Sequence, residues 1–164
     1  EKLIPQEIRA AILRGIHATK DSGTVAGYSL IDIVANIIDA EYDEEHSTSV
    51  SFEMAAAQAF QQAVREAKPV LLEPVMQIEV IVPEQNLGDI MGDLGARGAQ
   101  IEGIDHRSDG EVVKAIVPLA EMFGYTTTLR SMTQGRGFFT MQFSHYKRLP
   151  HQREEKLLLK FRGC

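Results

Sequence analysis

The apolar positions in the second half of the chain switch between the period of a strand and the period of a helix. They predict six elements in a row: strand Met76–Val82, helix Leu87–Ala96, strand Ile101–Arg107, strand Val112–Val117, helix Leu119–Met132 and strand Phe138–Phe143. Asp109-Gly110 is typical of a hairpin turn between the two middle strands. The order βαββαβ is the split βαβ, or ferredoxin-like, arrangement. It predicts a four-stranded antiparallel sheet with both helices on one face.

The first half of the chain carries a different pattern. Apolar residues spaced three and four apart follow Pro5 and predict a helix. The segment Tyr28–Ile38 is rich in β-branched residues and predicts a long strand. The segment Asp39–Val50 holds five acidic side chains and predicts a projecting polar loop. Ser51 can cap a second helix, which ends before Pro69.

A domain boundary is predicted after residue 73, because a new alternating pattern begins at Val75. The fold class is therefore α+β, with an α/β domain over residues 1–73 and a ferredoxin-like domain over residues 74–146. Residues 147–164 form a carboxy-terminal tail, in which Glu154–Phe161 predicts an amphipathic helix.

Composition adds a cellular context to this fold. A hydrophobic fraction of 44% with 24% charged residues is ordinary for a globular protein. No apolar run is long enough to span a bilayer, and the first residues lack a secretory pattern. The one cysteine, Cys164, allows no disulfide within the chain. A cytoplasmic protein with no membrane partner is expected.

The charge of the chain is divided unevenly. The net charge of -6 argues against a simple nucleic-acid-binding protein, which usually has a basic contact face. Residues 1–73 hold 6 Lys/Arg and 12 Asp/Glu, whereas residues 74–164 hold 11 of each. Any contact with phosphate groups is therefore expected from the second half.

Long stretches of the sequence resemble one protein family. The stretch from Val117 reads V-P-L-A-E-M-F-G-Y-T-T-T-L-R-S-M-T-Q-G-R-G and is followed by F-S-H-Y. It resembles the carboxy-terminal domain of bacterial elongation factor G, the translocase of the ribosome. A-K-P-V-L-L-E-P-V-M from Ala67 is similar to the passage from the fourth to the fifth domain of that family. G-D-I-M-G-D-L and Q-I-E-G resemble its fifth domain, and S-F-E-M-A-A-A-Q-A-F its fourth, so the resemblance covers nearly the whole chain.

The resemblance implies a partial fourth domain, similar to ribosomal protein S5, followed by the ferredoxin-like fifth domain. The chain has no G-x-x-x-x-G-K-[ST] loop, so it is expected to be a fragment that is not itself an enzyme and needs no cofactor. GTP and Mg are expected in a missing amino-terminal domain of a translational GTPase. The first strands of the fourth domain are also missing. The predicted strand Tyr28–Ile38 is therefore expected to lack neighbours on one side, and its exposed edge would allow a non-physiological dimer.

The resemblance also implies site residues. A decoding-site tip loop is expected at Glu45, His46 and Ser47. Contacts to ribosomal RNA are expected from four arginines: Arg97, Arg107, Arg130 and Arg136. The alternative for the loop is a solvated polar turn, and for each arginine a surface salt bridge. No catalytic or metal site is expected, because the adjacent residues Asp43, Glu44, Glu45 and His46 do not converge on one point.

The expected function is that of elongation factor G, which moves tRNA and mRNA through the ribosome. Its partners would be ribosomal RNA and proteins, with tRNA and mRNA in the decoding region. Two alternatives stay open. One is a ribosomal protection or ribosome-recycling paralogue, and the other is a ferredoxin-like regulatory module that binds a small metabolite.

Overall fold

A computed structural model of the chain describes residues 4–43 and 45–162. Glu44 and Cys164, which entered the interpretation above, lie outside the described residues. The chain divides into two compact units: the first reaches up to Val70 and includes the residues from Glu155 onward, and the second is Leu71–Glu154. The boundary predicted after residue 73 lies a few residues beyond this division.

The described elements follow one another as five helices and four strands. In chain order they are α1 Gln6–Ser22, α2 Ser49–Glu66, β1 Leu72–Val82, α3 Leu87–Ala96, β2 Gln100–Arg107, β3 Gly110–Pro118, α4 Tyr125–Met132, β4 Phe138–Arg148 and α5 His151–Arg162. Short 3₁₀ turns, Glu84–Asn86 and Leu119–Met122, precede α3 and α4.

The second unit is built on an antiparallel sheet with the strand order β2-β3-β1-β4. This order confirms the ferredoxin-like prediction. The hairpin between β2 and β3 pairs Arg107 with Gly110, so the turn residues are Ser108 and Asp109. Gly110 follows the turn with φ 141, a value that side chains disfavour. A Cβ there would also lie 2.7 Å from the carbonyl oxygen of Val82.

One face of this sheet is buried by α3 and α4, as the pattern predicted. Apolar side chains from the strands and from both helices form a single core: Ile78, Val80, Val82, Ile90, Leu94, Val113, Ala115, Val117, Met122, Tyr125 and Leu129. Tyr125 is fully buried in this core, with its ring edge-on to Phe139 at a centroid distance of 4.9 Å. The helices are held to the sheet mainly by this apolar burial.

The predicted single helix Leu119–Met132 is wrong. The chain makes a 3₁₀ turn as far as Met122, and Gly124 then takes a left-handed conformation with φ 75 before α4 begins at Tyr125. A left-handed residue interrupts the helical hydrogen-bond ladder, and glycine adopts it without a steric penalty. The apolar spacing of the sequence was helical on both sides of this break, which concealed it.

The last strand and the last helix are both longer than predicted. β4 continues to Arg148 and pairs with the start of β1, with a register shift between Val75 and Met76. The N–H of Leu149 then donates to the carbonyl of Leu71 at 2.8 Å. Arg153, near the start of α5, makes ion pairs with Glu73 and Glu121. The residues from 147 to Glu154 are thus tied to the rest of the second unit.

In the first unit, α1 and α2 pack directly on each other. Gly15 marks the closest approach, because a Cβ at this position would lie only 2.2 Å from the carbonyl oxygen of Glu53. Arg14 donates to the carboxylate of Glu53 at 3.1 Å beside this contact. The prediction that Ser51 caps α2 is wrong by three residues. Thr48 is the N-cap, and Ser51 is its partner in a reciprocal capping box.

The predicted strand Tyr28–Ile38 is also wrong. None of its residues pairs in a sheet within the part of the chain that the structure describes. Val34 and Ile38 are 88% and 96% exposed, and residues 33–41 border a cavity of about 930 Å³ against α1 and α2. A β-branched segment becomes a strand only where a neighbouring strand can satisfy its backbone groups. Dimer formation through this segment stays a prediction.

The buried hydroxyl of Tyr125 generates a test of the core. This oxygen has no hydrogen-bond partner among the described residues, and burial, together with the charge of Asp93, raises the pKa of Tyr125 to about 12. The unfolded chain releases the proton near pH 10 and the folded chain does not, so stability is lost as the pH rises from 10 to 12. We expect a loss on the order of 2 kcal/mol in the free energy of unfolding.

Tyr125→Phe should keep the packing, remain within about 1 kcal/mol of the parent at neutral pH and lose much of this alkaline destabilisation. Urea denaturation at several pH values, followed by the methyl NMR signals of Ile78 and Ile90, measures the effect. Tyr146→Phe, at a half-exposed position, is the control. The Lys114–Asp105 ion pair is present in both variants, so the loss of the lysine charge at alkaline pH affects both pH profiles equally. Identical pH profiles for the two variants would contradict the expectation.

Candidate functional site

The predicted tip loop is a compact turn organised around Asp43. The backbone N–H of Asp43 donates to the hydroxyl of Ser47 at 2.9 Å, and the N–H of Ser47 donates to the carbonyl of Asp43 at the same distance. The N–H of Glu45 donates to the carboxylate of Asp43 at 3.0 Å. One residue thus accepts or donates three of the bonds that close the turn.

His46 lies at the outer side of this turn. Its Nδ1 atom is 2.8 Å from the second carboxylate oxygen of Asp43, and the side chain of His46 is 80% exposed. The N–H of Glu45 and the ring of His46, in that order, hold the pKa of the Asp43 carboxyl below its usual value. An ionised carboxylate therefore holds the imidazole in place at neutral pH.

Both ends of the loop are anchored. Before the turn, the ring of Tyr42 contacts that of Phe52 at a centroid distance of 6.4 Å. After it, the hydroxyl of Thr48 accepts from the N–H of Ser51, which starts α2. The loop therefore ends directly on a capped helix, so its tip is held relative to α2. The sequence placed Glu45, His46 and Ser47 in a loop but gave no sign of the role of Asp43.

Arg97 has a different environment from the other three predicted arginines. It follows α3, and its guanidinium donates to the Asp93 carboxylate at 2.8 Å, the Glu121 carbonyl at 2.5 Å and the Thr128 hydroxyl at 3.2 Å. The same group lies 5.0 Å from the centre of the Tyr125 ring, and the side chain is only 18% exposed. Arg97 thus connects α3, the 3₁₀ turn and α4, and its contact to ribosomal RNA stays an untested prediction.

Arg107, Arg130 and Arg136 are exposed. Arg107 ends β2 and Arg136 precedes β4, and these positions lie at the same end of the sheet because Ile81 pairs with Phe138 and Val82 with Glu111. Three strand spacings separate β2 from β4, which places the two backbones roughly 14 Å apart at about 4.8 Å per strand. Contact of these two side chains with phosphates stays a prediction.

The loop that carries Arg136 is rigid for a reason that sequence inspection missed. The hydroxyl of the buried Thr133 donates to the carbonyl of Leu129 at 2.7 Å and accepts from the N–H of Gly137 at 2.8 Å. A Cβ at Gly137 would meet the Thr133 side chain at 2.8 Å, so a glycine is needed there. The signal available in the sequence was a threonine at a helix end followed by Gly-x-Gly.

The tip residues belong to the first unit and the four arginines to the second. Within the described residues, no group of His, Cys, Asp or Glu side chains has the arrangement of a metal site. In the same part of the chain no helix combines the length and the apolar character needed to cross a bilayer.

Comparison with known proteins gives a consistent result along the chain. A family model described as elongation factor G, domain IV, matches residues 1–68, and one described as elongation factor G C-terminus matches residues 70–157. A crystal structure of a protein from Thermus thermophilus is similar to this chain, with a TM-score of 0.91 and 34% sequence identity. The match covers 98% of this chain and 24% of that one, so the chain spans about a quarter of that protein's length.

The environments of Arg97 and Arg136 predict unequal effects of their replacement on stability. Arg97→Ala leaves a carboxylate and a carbonyl without their donor, and we expect the free energy of unfolding of the second unit to fall by about 1–3 kcal/mol. Arg97→Lys should restore only part of the loss, because an ammonium cannot match the planar fork. Arg136→Ala, the exposed control, should change stability by no more than about 0.5 kcal/mol. Urea denaturation monitored by circular dichroism measures both, and equal effects would refute the structural role of Arg97.

Proposed function

The chain belongs to the elongation factor G family, and from this premise we propose that it is the part of a translocase that contacts the ribosome while tRNA and mRNA move. The observation that carries the proposal is the succession of the domain IV and C-terminus models over residues 1–68 and 70–157. A regulatory module that binds a metabolite would not need the first unit. The family therefore favours a role in translation elongation over that alternative.

In this proposal the tip loop acts in the decoding region. Its anchors at Tyr42–Phe52 and at the cap of α2 support a stiff projection, which is what a positional mechanism requires. A projection that occupies the space vacated by a tRNA prevents the return movement and so biases a thermal equilibrium. His46 is the group at the tip that would face RNA.

The second unit supplies the electrostatic anchor. Arg107, Arg130 and Arg136 are exposed and would neutralise phosphates of ribosomal RNA, a contact that requires charge and position but no base sequence. Arg97 contributes indirectly, because its donors already bind groups within the unit. The balanced charge of residues 74–164 also makes this half a better neighbour of RNA than the acidic first half.

The energy source of translocation lies outside these residues in our proposal. They contain no phosphate-binding glycine loop, so GTP and Mg would be bound elsewhere in the intact protein. A ribosomal partner also implies a cytoplasmic location. Recycling and protection of ribosomes are activities that the same two domains could serve, and assays of the intact protein for each activity would separate them.

The proposal predicts that this chain binds ribosomes and competes with elongation factor G for them. Each phosphate that a cation neutralises releases counterions, so the affinity should fall steeply with salt. Replacing Arg107, Arg130 and Arg136 together with Gln should make the fall of log affinity with log salt less steep, by about 0.7–0.9 for each phosphate that is no longer neutralised. Light-scattering or filter-binding titrations at several salt concentrations measure this slope.

The matched control replaces three exposed cations of the first unit with Gln, namely Arg9, Arg65 and Lys68. This variant has the same net charge as the first and should keep the parental slope. No saturable binding to ribosomes would reject the proposed function. If the salt dependence became less steep by the same amount in both variants, only the assignment of the arginines would be rejected.

A further inference from the structure

The geometry of the tip loop points to a specific chemistry for His46. We propose that Asp43 is a positioning residue that holds His46 with its proton on Nδ1, so that Nε2 accepts a hydrogen bond from a 2′-hydroxyl or an exocyclic amine of RNA. This inference rests on the proposed function for its ligand, but the state of the ring is a property of the chain alone.

The assignment of the proton follows from the donors and acceptors around Asp43. An ionised carboxylate can only accept hydrogen bonds, so an imidazole nitrogen 2.8 Å from it must be the nitrogen that carries the proton. The other carboxylate oxygen accepts from the N–H of Glu45, which favours the ionised form. In a neutral ring, the proton on Nδ1 leaves Nε2 as an acceptor.

The orientation of the ring is as well determined as its proton. The backbone of Asp43 is fixed in both directions by Ser47, through the hydroxyl of Ser47 and through its N–H. The carboxylate is held in turn by the N–H of Glu45, and the imidazole is attached to it by one edge. The opposite edge carries Nε2, and the side chain of His46 is 80% exposed.

The charge of the loop decides which ligand this acceptor would take. Residues 39–50 contain five acidic side chains and neither Lys nor Arg. Such a loop repels phosphates, whose oxygens are acceptors and offer nothing to a neutral Nε2. Hydroxyl and amino groups of RNA are donors, and an acidic environment does not oppose their approach. The 2′-hydroxyl is also the group that distinguishes RNA from DNA.

Nitrogen-15 NMR of the chain near neutral pH tests the positioning directly. In a neutral histidine the ring nitrogen that carries the proton has a different chemical shift from the one that does not. We expect His46 to carry its proton on Nδ1 in the parent chain. Asp43→Asn should shift the ring toward a mixture of the two forms, since an amide can turn either its oxygen or its NH₂ group toward Nδ1. Glu45→Gln makes the same change in charge without touching the ring through its side chain, and should leave the proton on Nδ1. A proton on Nε2 in the parent, or an unchanged ring in Asp43→Asn, would overturn the proposal.

Translocation by the intact protein that contains this chain tests the ligand class. Loss of one hydrogen bond should reduce the rate roughly 3- to 10-fold in both His46→Ala and Asp43→Asn, and the double variant should be no slower than His46→Ala. His46→Gln presents a neutral oxygen acceptor and should retain more activity than His46→Lys, which presents a positive charge. Better rescue by lysine would show a phosphate contact and overturn the assignment of the ligand.

The two experiments fail in different ways. If the intact protein neither binds ribosomes nor translocates, the proposed function fails and the ligand assignment fails with it, whereas the nitrogen-15 result still decides whether Asp43 positions His46. If the protein translocates and His46→Ala has the parental rate, the function stands and the contact through His46 is rejected.

Discussion

Both edges of β1 are hydrogen-bonded, to β3 on one side and to β4 on the other, and the second unit depends on this arrangement. A central strand fixes which residues face the helices: Ile78 and Val80 lie in the core, while Gln77 and Glu79 face the opposite side, where Gln77 bonds Gln142. It also fixes which loops share an end of the sheet. Arg107, at the end of β2, and Arg136, just before β4, lie at the same end of the sheet because β3 and β1 pair between those strands in this register.

The pattern of the sequence was sufficient where a local signal agreed with its tertiary context. The bounds of α3 match the prediction Leu87–Ala96, because its apolar stripe faces a sheet that the alternating strands also specify. The segment Tyr28–Ile38 failed because strand formation depends on a partner strand, which periodicity does not reveal. The prediction of one helix across Gly124 failed for another reason: the helical spacing of apolar residues continued across a residue whose backbone is left-handed.

The sequence predicted that His46 lies in a loop, but not the contacts that its side chain makes there. Composition placed His46 in a polar loop, but its pairing with Asp43 depends on the turn that Ser47 closes. The four arginines looked alike in the sequence, because charge alone does not show whether a guanidinium is exposed or already bound within the fold, as that of Arg97 is. Arg97 meets a carbonyl 24 residues away along the chain, and only the fold brings the two together. Thr133 was missed because its hydroxyl acts on the backbone and not on a ligand.

The contact at Gly15 bears on how this protein could be engineered. Glycine inside a helix is normally a candidate for replacement, since alanine gains about 1 kcal/mol of helix propensity. In α1 that gain is out of reach, because the backbone of α2 occupies the place where the methyl group would go. Engineering guided by helix propensity alone would therefore select Gly15 for replacement. The added methyl group would force α1 and α2 apart and disrupt the packing between them.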